Sequence, residues 1–337
     1  MAALSEAAFD QLTARVAAAG ITDLRPLPGG ASSLTFAGTQ DGAPVVVKVA
    51  PPGIAPTLNR DVLRQARIIR ALGPTAVPVP DVRWEDVGDP PDVPPLFVMS
   101  FLDGASVEPL FDADTADEHP AVVAERLRDA ARVLAALHCV DPAAAGLGSE
   151  PVISLADEVA RWSRLLETVD PALVPDWSGV AAALRSSMPA AWPAAVCHGD
   201  FRLGNLLATQ HRITAVIDWE IWSVGDPRVD AGWFLINSDP ATYRRDTAYV
   251  GTTPAPSELA EIYADALGRP VPDLTWFQGL ACFKSAATWS LIVKHNRRRS
   301  TPDPGVEAMA ATVPNLLTRA AEFTSSVVHQ HFSPNGG

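Results

Sequence analysis

The chain has 337 residues, of which 47% are hydrophobic and 19% are charged, and this composition is typical of a globular protein rather than a disordered one. Its formal net charge of -13 argues against a general nucleic-acid-binding protein, because contact with phosphate backbones favours basic surfaces. The three cysteines are far apart and form no CxxC pair, which argues against a disulfide framework or a cysteine-based zinc site.

Residues 4–19 form the first predicted helix, because apolar residues recur there at helical spacing. The segment lacks the basic start and the continuous apolar run of a signal peptide. No window approaches the roughly 18 uninterrupted apolar residues of a membrane-spanning helix. We therefore expect a cytoplasmic protein with no membrane partner, and the sequence indicates nothing about its oligomeric state.

A mainly β-structured segment follows and carries one lysine of interest. Residues 27–36 read as a Gly/Ser turn between two strands, and Asp41-Gly42 is a strong signal for a two-residue hairpin turn. Residues 45–49 are valines apart from Lys48 and predict a buried strand. A buried lysine without a partner is costly, so we interpret Lys48 as a functional residue rather than an edge-strand lysine that faces solvent.

Helices dominate the rest of the chain. Residues 59–72 predict a helix, 81–95 a loop rich in Pro and Asp, and 96–102 a short apolar strand. Beyond them, helices are predicted over 121–140, 155–168, 257–268, 274–295 and 305–327, and short strands over 194–197 and 213–218. The predicted fold class is α+β, with a small antiparallel-sheet lobe over 1–102 and a larger, mainly helical lobe over 103–337.

The residues best suited to chemistry lie in two short polar segments flanked by apolar runs. They read HGDFRLGN over 198–205 and IDWE over 217–220. Phosphoryl transfer needs a carboxylate to orient and deprotonate an attacking hydroxyl, and oxygen ligands to hold Mg²⁺ against the phosphates of ATP. Asp200 suits the first role, and Asn205 and Asp218 suit the second. His198 is better suited to orienting the loop than to acting as the base.

The phosphates of ATP also need positive charge and backbone donors. Lys48 supplies a cation on a predicted strand next to a Gly/Ser turn. Backbone N–H groups of such a turn can cover phosphate oxygens. The candidates for this role are Gly29, Gly30, Ser32 and Ser33.

HGDFRLGN followed by IDWE resembles the HGDxxxxN catalytic loop and the metal-binding motif of the aminoglycoside phosphotransferase and choline kinase-like family. The sequence GDPRVD over 225–230 and the hinge-like segment 97–101 extend a similarity that covers roughly residues 25–295. The resemblance implies a bilobal protein-kinase-like fold, ATP and Mg²⁺ as cofactors, and direct in-line transfer of the γ-phosphoryl group to a hydroxyl of a small molecule. It also implies that the backbone of the hinge residues Ser100, Phe101 and Leu102 binds adenine.

The sequence departs from the family at the expected partner of Lys48. Kinases of this class pair the strand lysine with a helix glutamate, and the corresponding dipeptide here is Arg64-Gln65. Gln65 can accept a hydrogen bond from the lysine but cannot form an ion pair. Asp61, one turn earlier on the same helix face, is a second candidate partner.

Several alternatives stay open. A nucleotide-binding module with little or no catalysis is consistent with Gln65, whereas a protein kinase is disfavoured because no activation segment separates Asp218 from Gly225. P-loop chemistry is excluded because no GxxxxGK[ST] motif occurs. The resemblance leaves the acceptor open among aminoglycoside-, choline-, sugar- and hydroxyacyl-type alcohols. Three tryptophans near the second motif could line an acceptor pocket or belong to the core: Trp219, Trp222 and Trp233.

Overall fold

An antiparallel sheet forms the N-terminal part of the protein. The structure is a computed structural model, and it describes residues 4–27, 33–110, 118–244 and 246–332, with side chains as far as residue 326. The sheet contains β1 (Ile21–Pro26), β2 (Leu34–Gln40), β3 (Ala43–Val49), β4 (Val82–Asp86) and β5 (Leu96–Ser100), in the spatial order β1-β2-β3-β5-β4. Asp41 and Gly42 join β2 to β3 with φ of 52° and 77°, which is the left-handed turn that an Asp-Gly pair favours.

Two helices cover this sheet. Helix α1 (Glu6–Ala17) begins at Ser5, whose hydroxyl accepts a hydrogen bond from the Ala8 amide at 3.3 Å, and it packs Leu12 and Val16 against β2, β3 and β5. Helix α2 (Val62–Leu72) contacts β4 and β5, and its apolar face belongs to a larger core that continues into the rest of the chain. The central strand β3 is therefore packed on both sides, and Lys48 lies on it.

The prediction of a loop over residues 81–95 is wrong at its start, where β4 lies. Strand β4 pairs with β5 from Val82 opposite Met99 to Asp86 opposite Leu96, with an irregularity near Trp84. The Pro- and Asp-rich composition that indicated a loop is concentrated after β4, at residues 89–95. An edge strand needs only one partner, so a polar and interrupted sequence is tolerated there.

Helices and short strands build the remainder. The helices are α3 (Pro120–His138), α4 (Leu155–Leu166), α5 (Trp177–Ser186), α6 (Arg228–Asn237), α7 (Pro240–Tyr243), α8 (Pro256–Leu267), α9 (Leu274–Asn296), α10 (Pro304–Ala308) and α11 (Val313–Phe332). The strands are β6 (Val152–Ile153), β7 (Ala195–Cys197), β8 (Leu206–Thr209), β9 (Arg212–Val216) and β10 (Ser223–Gly225). Strand β10 pairs with β6 and β7, whereas β8 and β9 form a hairpin. The predicted α+β fold class is confirmed.

Helix α9 lies at the centre of the helical part and packs against α4, α6 and α11. Nearly all of its side chains from Trp276 to Ser290 are buried, and Lys284 is the charged side chain within that stretch. The prediction of a single helix over 305–327 is wrong. The chain forms α10, a short 3₁₀ turn and then α11, and Pro304 and Pro314 each occupy a first turn, where a missing N–H is tolerated. None of the helices within the described ranges has the length and apolar content of a membrane span.

Candidate active site

The loop after β7 is held by backbone contacts. Gly199 has a φ of 86°, and a Cβ there would lie 2.6 Å from the Ile221 carbonyl oxygen, so the position requires glycine. The Asp230 carboxylate at the start of α6 accepts hydrogen bonds from the amides of His198 and Gly199, the second at 2.9 Å. These contacts fix the backbone direction just before Asp200.

His198 is fully buried, and both of its ring nitrogens contact the backbone. Nδ1 accepts from the Asp200 amide at 3.2 Å, and Nε2 donates to the Ile217 carbonyl oxygen at 2.8 Å. The imidazole therefore links the HGD loop to the segment that carries Asp218. Both ring nitrogens of His198 are thus engaged in hydrogen bonds, as expected for a residue that orients the loop.

The Asp200 carboxylate accepts hydrogen bonds from three side chains. Trp233 Nε1 donates to Oδ1 at 2.8 Å, and Asn205 Nδ2 donates to Oδ2 at 2.9 Å. Arg202 Nε lies 3.2 Å from Oδ1 and 3.3 Å from Oδ2. The carboxylate orientation is thus defined by donors from its own loop and from α6.

Asn205 and Asp218 are brought together as the sequence predicts for a metal site. The Asn205 amide nitrogen also donates to the Asp200 carbonyl oxygen at 2.9 Å, which leaves the amide oxygen as the potential ligand. The Ile217 amide donates to the Asn205 carbonyl oxygen at 3.0 Å and joins the two segments. Asp218 has a φ of 66°, and its side chain is 38% exposed. An amide oxygen beside a carboxylate is a hard-oxygen set that fits Mg²⁺.

Lys48 contacts both Gln65 and the second motif. Its ammonium donates to Gln65 Oε1 at 3.1 Å and lies 3.3 Å from Asp218 Oδ1. Asp61 instead caps α2 by accepting from the Arg64 amide at 3.0 Å. Of the two candidate partners, Gln65 is therefore the one that contacts the lysine, and the charged neighbour is Asp218.

If the site uses ATP as the sequence predicts, Gln65→Leu should lower kcat/KM for ATP by about 10- to 100-fold, because a buried hydrogen bond to a charged group is worth about 1.5–3 kcal/mol. Initial rates of ADP release at varied ATP concentration measure this. Gln65→Glu is the matched control, because it retains an acceptor oxygen for Lys48 and should remain active. A Gln65→Leu variant with the kcat/KM of the wild type would contradict the role of this contact.

A cleft of about 400 Å³ lies beside these residues. Of the predicted site residues it is lined by Lys48, Ser100, Phe101, Leu102, Asn205 and Asp218. At the hinge, the Ser100 amide donates to Asp81 O at 2.9 Å and the Phe101 amide to Pro44 O at 3.2 Å. Within the described residues the Leu102 amide has no such acceptor, so it is the hinge donor available to a ligand.

The predicted phosphate-covering turn is described only in part. Gly29, Gly30 and Ser32 lie outside the described residues, and their role stays a prediction. Ser33 is buried, and its hydroxyl has no hydrogen-bond partner among the described residues. The Gln65 Nε2 donor is also buried without a described partner.

Sequence reasoning missed the role of Arg202 and Glu108. Arg202 Nη1 contacts the Glu108 carboxylate, which also accepts from the Gly204 amide at 3.2 Å. Burial raises the pKa of Glu108 to about 7, although Arg202 opposes the shift. Arg202 lies within the HGDFRLGN motif, so its proximity to Asp200 could have been predicted from the sequence. Glu108 comes from a distant loop and carries no motif.

We expect the stability of the protein to depend on Glu108 between pH 4.5 and 7. The folded state binds the proton of the Glu108 carboxyl more tightly than the unfolded chain does. The free energy of unfolding therefore falls as the pH rises through this window, by at most about 3 kcal/mol. Glu108→Gln removes this titrating group. The melting temperature of the variant minus that of the wild type should therefore be larger at pH 8 than at pH 5. Glu261→Gln, on an exposed face, is the control. An equal difference at both pH values would contradict the prediction.

The three tryptophans near the second motif have different environments. Trp219 and Trp222 are each 1% exposed and belong to the core, so an acceptor-lining role for them is wrong. Trp233 on α6 contacts Asp200. Lys284 on α9, which sequence reasoning missed, stands over the Trp233 ring. The available signal was a lysine in the middle of α9, where the neighbouring residues are mostly apolar or small.

A buried cluster of His138, Cys197 and Asp230 lies behind the loop. His138 Nδ1 contacts the Tyr263 hydroxyl at 2.7 Å, and Nε2 lies 3.6 Å from Asp230. Burial alone would raise the pKa of Asp230, but the hydrogen bond with His138 and the charge of Lys284 contribute to lowering it below the usual value. Burial raises the pKa of the Cys197 thiol. The cluster therefore stabilises the Asp230 carboxylate that holds the loop.

Comparisons with known proteins show which family this chain resembles. Residues 23–280 match the family described as the phosphotransferase enzyme family. Acyl-CoA dehydrogenase family member 11 of Gallus gallus is 28% identical over 289 residues, which are 80% of this chain and 36% of that protein. The chain spans between about a quarter and about a third of the length of the curated relatives it matches.

Two solved structures share the fold. A proposed aminoglycoside phosphotransferase from Ralstonia eutropha JMP134 has a TM-score of 0.75 at 21% identity, over 94% of this chain and 98% of that chain. A thermostable mutant of aminoglycoside phosphotransferase APH(4)-Ia, in ternary complex with ADP and hygromycin B, has a TM-score of 0.61 at 16% identity, with the same coverage of 94% and 98%. The bilobal, protein-kinase-like fold predicted from the sequence is thereby confirmed.

Proposed function

Because this chain belongs to the phosphotransferase enzyme family, we propose that it is an ATP-dependent small-molecule kinase that moves the γ-phosphoryl group of ATP to a hydroxyl. The observation that carries the proposal is the convergence at one cleft of Lys48, Asn205 and Asp218, with Asp200 hydrogen-bonded to Asn205. The presence of ADP in one structural neighbour supports the choice of nucleotide.

The nucleotide would lie in the cleft between the sheet and the catalytic loop. The hinge backbone near Leu102 receives the adenine, and Lys48 contacts the phosphates. Asn205 and Asp218 would hold Mg²⁺, which supplies charge neutralisation on the phosphates when bound. Lys48 then exchanges its contact with Asp218 for contacts with phosphate oxygens, while Gln65 keeps the ammonium in place.

Asp200 acts on the acceptor. Its carboxylate orients the hydroxyl and accepts the proton as the oxygen attacks the γ-phosphorus, while the bond from phosphorus to the β,γ-bridging oxygen breaks. ADP takes the electron pair, and no covalent enzyme intermediate forms. Arg202 lies beside Asp200 and keeps positive charge close to the reacting groups.

The proposed acceptor is a small-molecule alcohol. Structural neighbours include phosphotransferases named for aminoglycosides and macrolides, which are hydroxyl-bearing compounds. Specificity for the acceptor would lie in the helical region over residues 105–190 and in the residues after 240. The acceptor class within the alcohols is left to experiment.

A panel experiment tests the proposal. ADP release from ATP and Mg²⁺ is measured with water alone and with aminoglycosides, macrolides, amino alcohols, sugars and hydroxyacyl thioesters. We expect at least one acceptor to stimulate ADP release well above the rate with water. If ATP and Mg²⁺ raise the melting temperature but no acceptor stimulates turnover, the alternative of a nucleotide-binding module would be favoured.

A further inference from the structure

Helix α9 places a lysine in the protein interior behind the catalytic loop. Lys284 is 5% exposed, and its ammonium donates to the carbonyl oxygen of Gly199 rather than to a carboxylate in the described part of the chain. Burial lowers the pKa of Lys284, and the charges of Asp200 and Glu158 oppose that shift. Burial of a cation without a paired anion is unfavourable, so an aliphatic residue would suit the packing of α9 better.

The same lysine is connected to Asp200 through an indole ring. The Lys284 ammonium lies 4.1 Å from the centroid of the Trp233 ring, which is a cation–π distance. The Trp233 Nε1–H donates to Asp200 Oδ1 at 2.8 Å. Trp233 is 6% exposed and sits on α6, whereas Lys284 sits on α9. Side chains from two packed helices, α6 and α9, therefore contact the Asp200 carboxylate and the backbone next to it.

These contacts act on Asp200 at two points. Lys284 binds the carbonyl of the peptide that joins Gly199 to Asp200, and Trp233 binds one oxygen of the carboxylate. A carboxylate fixed at both its backbone and one oxygen keeps its second oxygen in a constant orientation beside Asn205. Reaction rates are sensitive to such orientation because misplacement of a reacting group by about 1 Å can reduce a rate 100-fold.

We propose that Trp233 and Lys284 are positioning residues for phosphoryl transfer, which together hold Asp200 in the orientation that accepts the proton of the acceptor hydroxyl. The inference rests on the role proposed above for Asp200. Neither residue is required to touch ATP or the acceptor in this account. Their removal should therefore lower kcat and leave the binding of ATP unchanged.

The test compares substitutions that preserve packing. Trp233→Phe keeps an aromatic face for Lys284 but removes the N–H donor, and Lys284→Met keeps length but removes the charge. Trp276→Phe is the matched control, because the indole N–H of Trp276 on α9 donates to the Leu184 carbonyl oxygen on α5 at 3.2 Å and not to Asp200. Asp200→Asn is assayed in parallel. Each full-length variant is assayed for kcat and KM for ATP with Mg²⁺, with water and with the best hydroxyl acceptor of the panel.

We expect Trp233→Phe and Lys284→Met to lower kcat by about 10- to 100-fold, with KM for ATP within about twofold of the wild type. Lys284→Arg should recover part of the loss because it restores the charge. Trp276→Phe should lower the melting temperature but keep kcat within about twofold. In a proton–nitrogen correlation spectrum, the indole signal that disappears in Trp233→Phe should shift in Asp200→Asn.

Other outcomes overturn the inference. If Trp233→Phe and Lys284→Met keep the wild-type kcat, or lose no more than Trp276→Phe, positioning is refuted, while an inactive Asp200→Asn would leave the proposed function intact. If Asp200→Asn is as active as the wild type, the role of Asp200 fails, and the positioning role fails with it. An indole signal of Trp233 that is unchanged in Asp200→Asn also contradicts the contact.

Discussion

Asp200→Asn should lower kcat for phosphoryl transfer by about 100- to 10,000-fold, the usual contribution of a positioned acid or base. An amide has nearly the shape of the carboxylate but cannot accept the proton of the attacking hydroxyl. Asp200 contacts Asn205, Arg202 and Trp233 rather than Lys48, so the nucleotide side of the cleft is left in place. The affinity for ATP with Mg²⁺, measured by thermal shift, should stay within about threefold of the wild type.

The control for this prediction is Asp265→Asn, the same change on an exposed face of α8. It should leave both kcat and ATP affinity unchanged. Retention of most of the activity by Asp200→Asn would contradict the base assignment. Loss of ATP affinity in parallel with kcat would indicate instead that Asp200 belongs to the nucleotide-binding part of the site.

Asp218→Asn should have the second large effect, on the dependence of the reaction on Mg²⁺. Replacement of a carboxylate ligand by an amide weakens the metal site and also removes the charged neighbour of Lys48 at 3.3 Å. We expect the Mg²⁺ concentration needed for half-maximal activity to rise at least about 10-fold and kcat to fall about 100-fold or more. Titration of ADP release against Mg²⁺ at saturating ATP measures both.

Removal of Mg²⁺ provides the control for this variant. With a chelator present, the wild type and Asp218→Asn should give similar, small thermal shifts with ATP, because the metal contribution is absent from both. With Mg²⁺ present, only the wild type should gain a larger shift. If both proteins respond to Mg²⁺ in the same way, Asp218 is not the metal ligand.

The predictable part of the site comes from short-range spacing. Asp200 and Asn205 lie in one short segment, and Asp218 stands at the end of a predicted apolar strand, so their chemistry can be interpreted from the sequence. The fold class follows from the change from β-branched runs to helical periodicity near residue 104. These features depend on local sequence, which is why pattern and motif are sufficient.

The partner of Lys48 illustrates where spacing is insufficient. Asp61 and Gln65 are four residues apart, so helical periodicity places both on one face. Only the capping geometry decides between them, because Asp61 is outside the helix and binds the Arg64 amide. The predicted helix begins at residue 59, three residues before α2 does, and this places Asp61 inside the helix instead of at its cap.

Contacts between distant segments were not predictable. Trp233 lies 33 residues from Asp200, and Lys284 lies 85 residues from Gly199, so their meeting depends on how α6 packs against α9. Strand β4 was missed for a related reason, because an edge strand is stabilised by its partner β5 more than by its own composition. Tertiary packing decided each of these cases.

Phosphorus NMR of ATP and Mg²⁺ with the stimulating acceptor, run side by side on the wild type and Asp200→Asn, tests whether the phosphoryl group reaches the acceptor and whether Asp200 is needed. With the wild type, we expect the ATP signals to be replaced by those of ADP and one new phosphate ester. With Asp200→Asn the same sample should remain unchanged over that time. Formation of only ADP and inorganic phosphate by the wild type, or of the same ester at an equal rate by Asp200→Asn, would contradict this expectation.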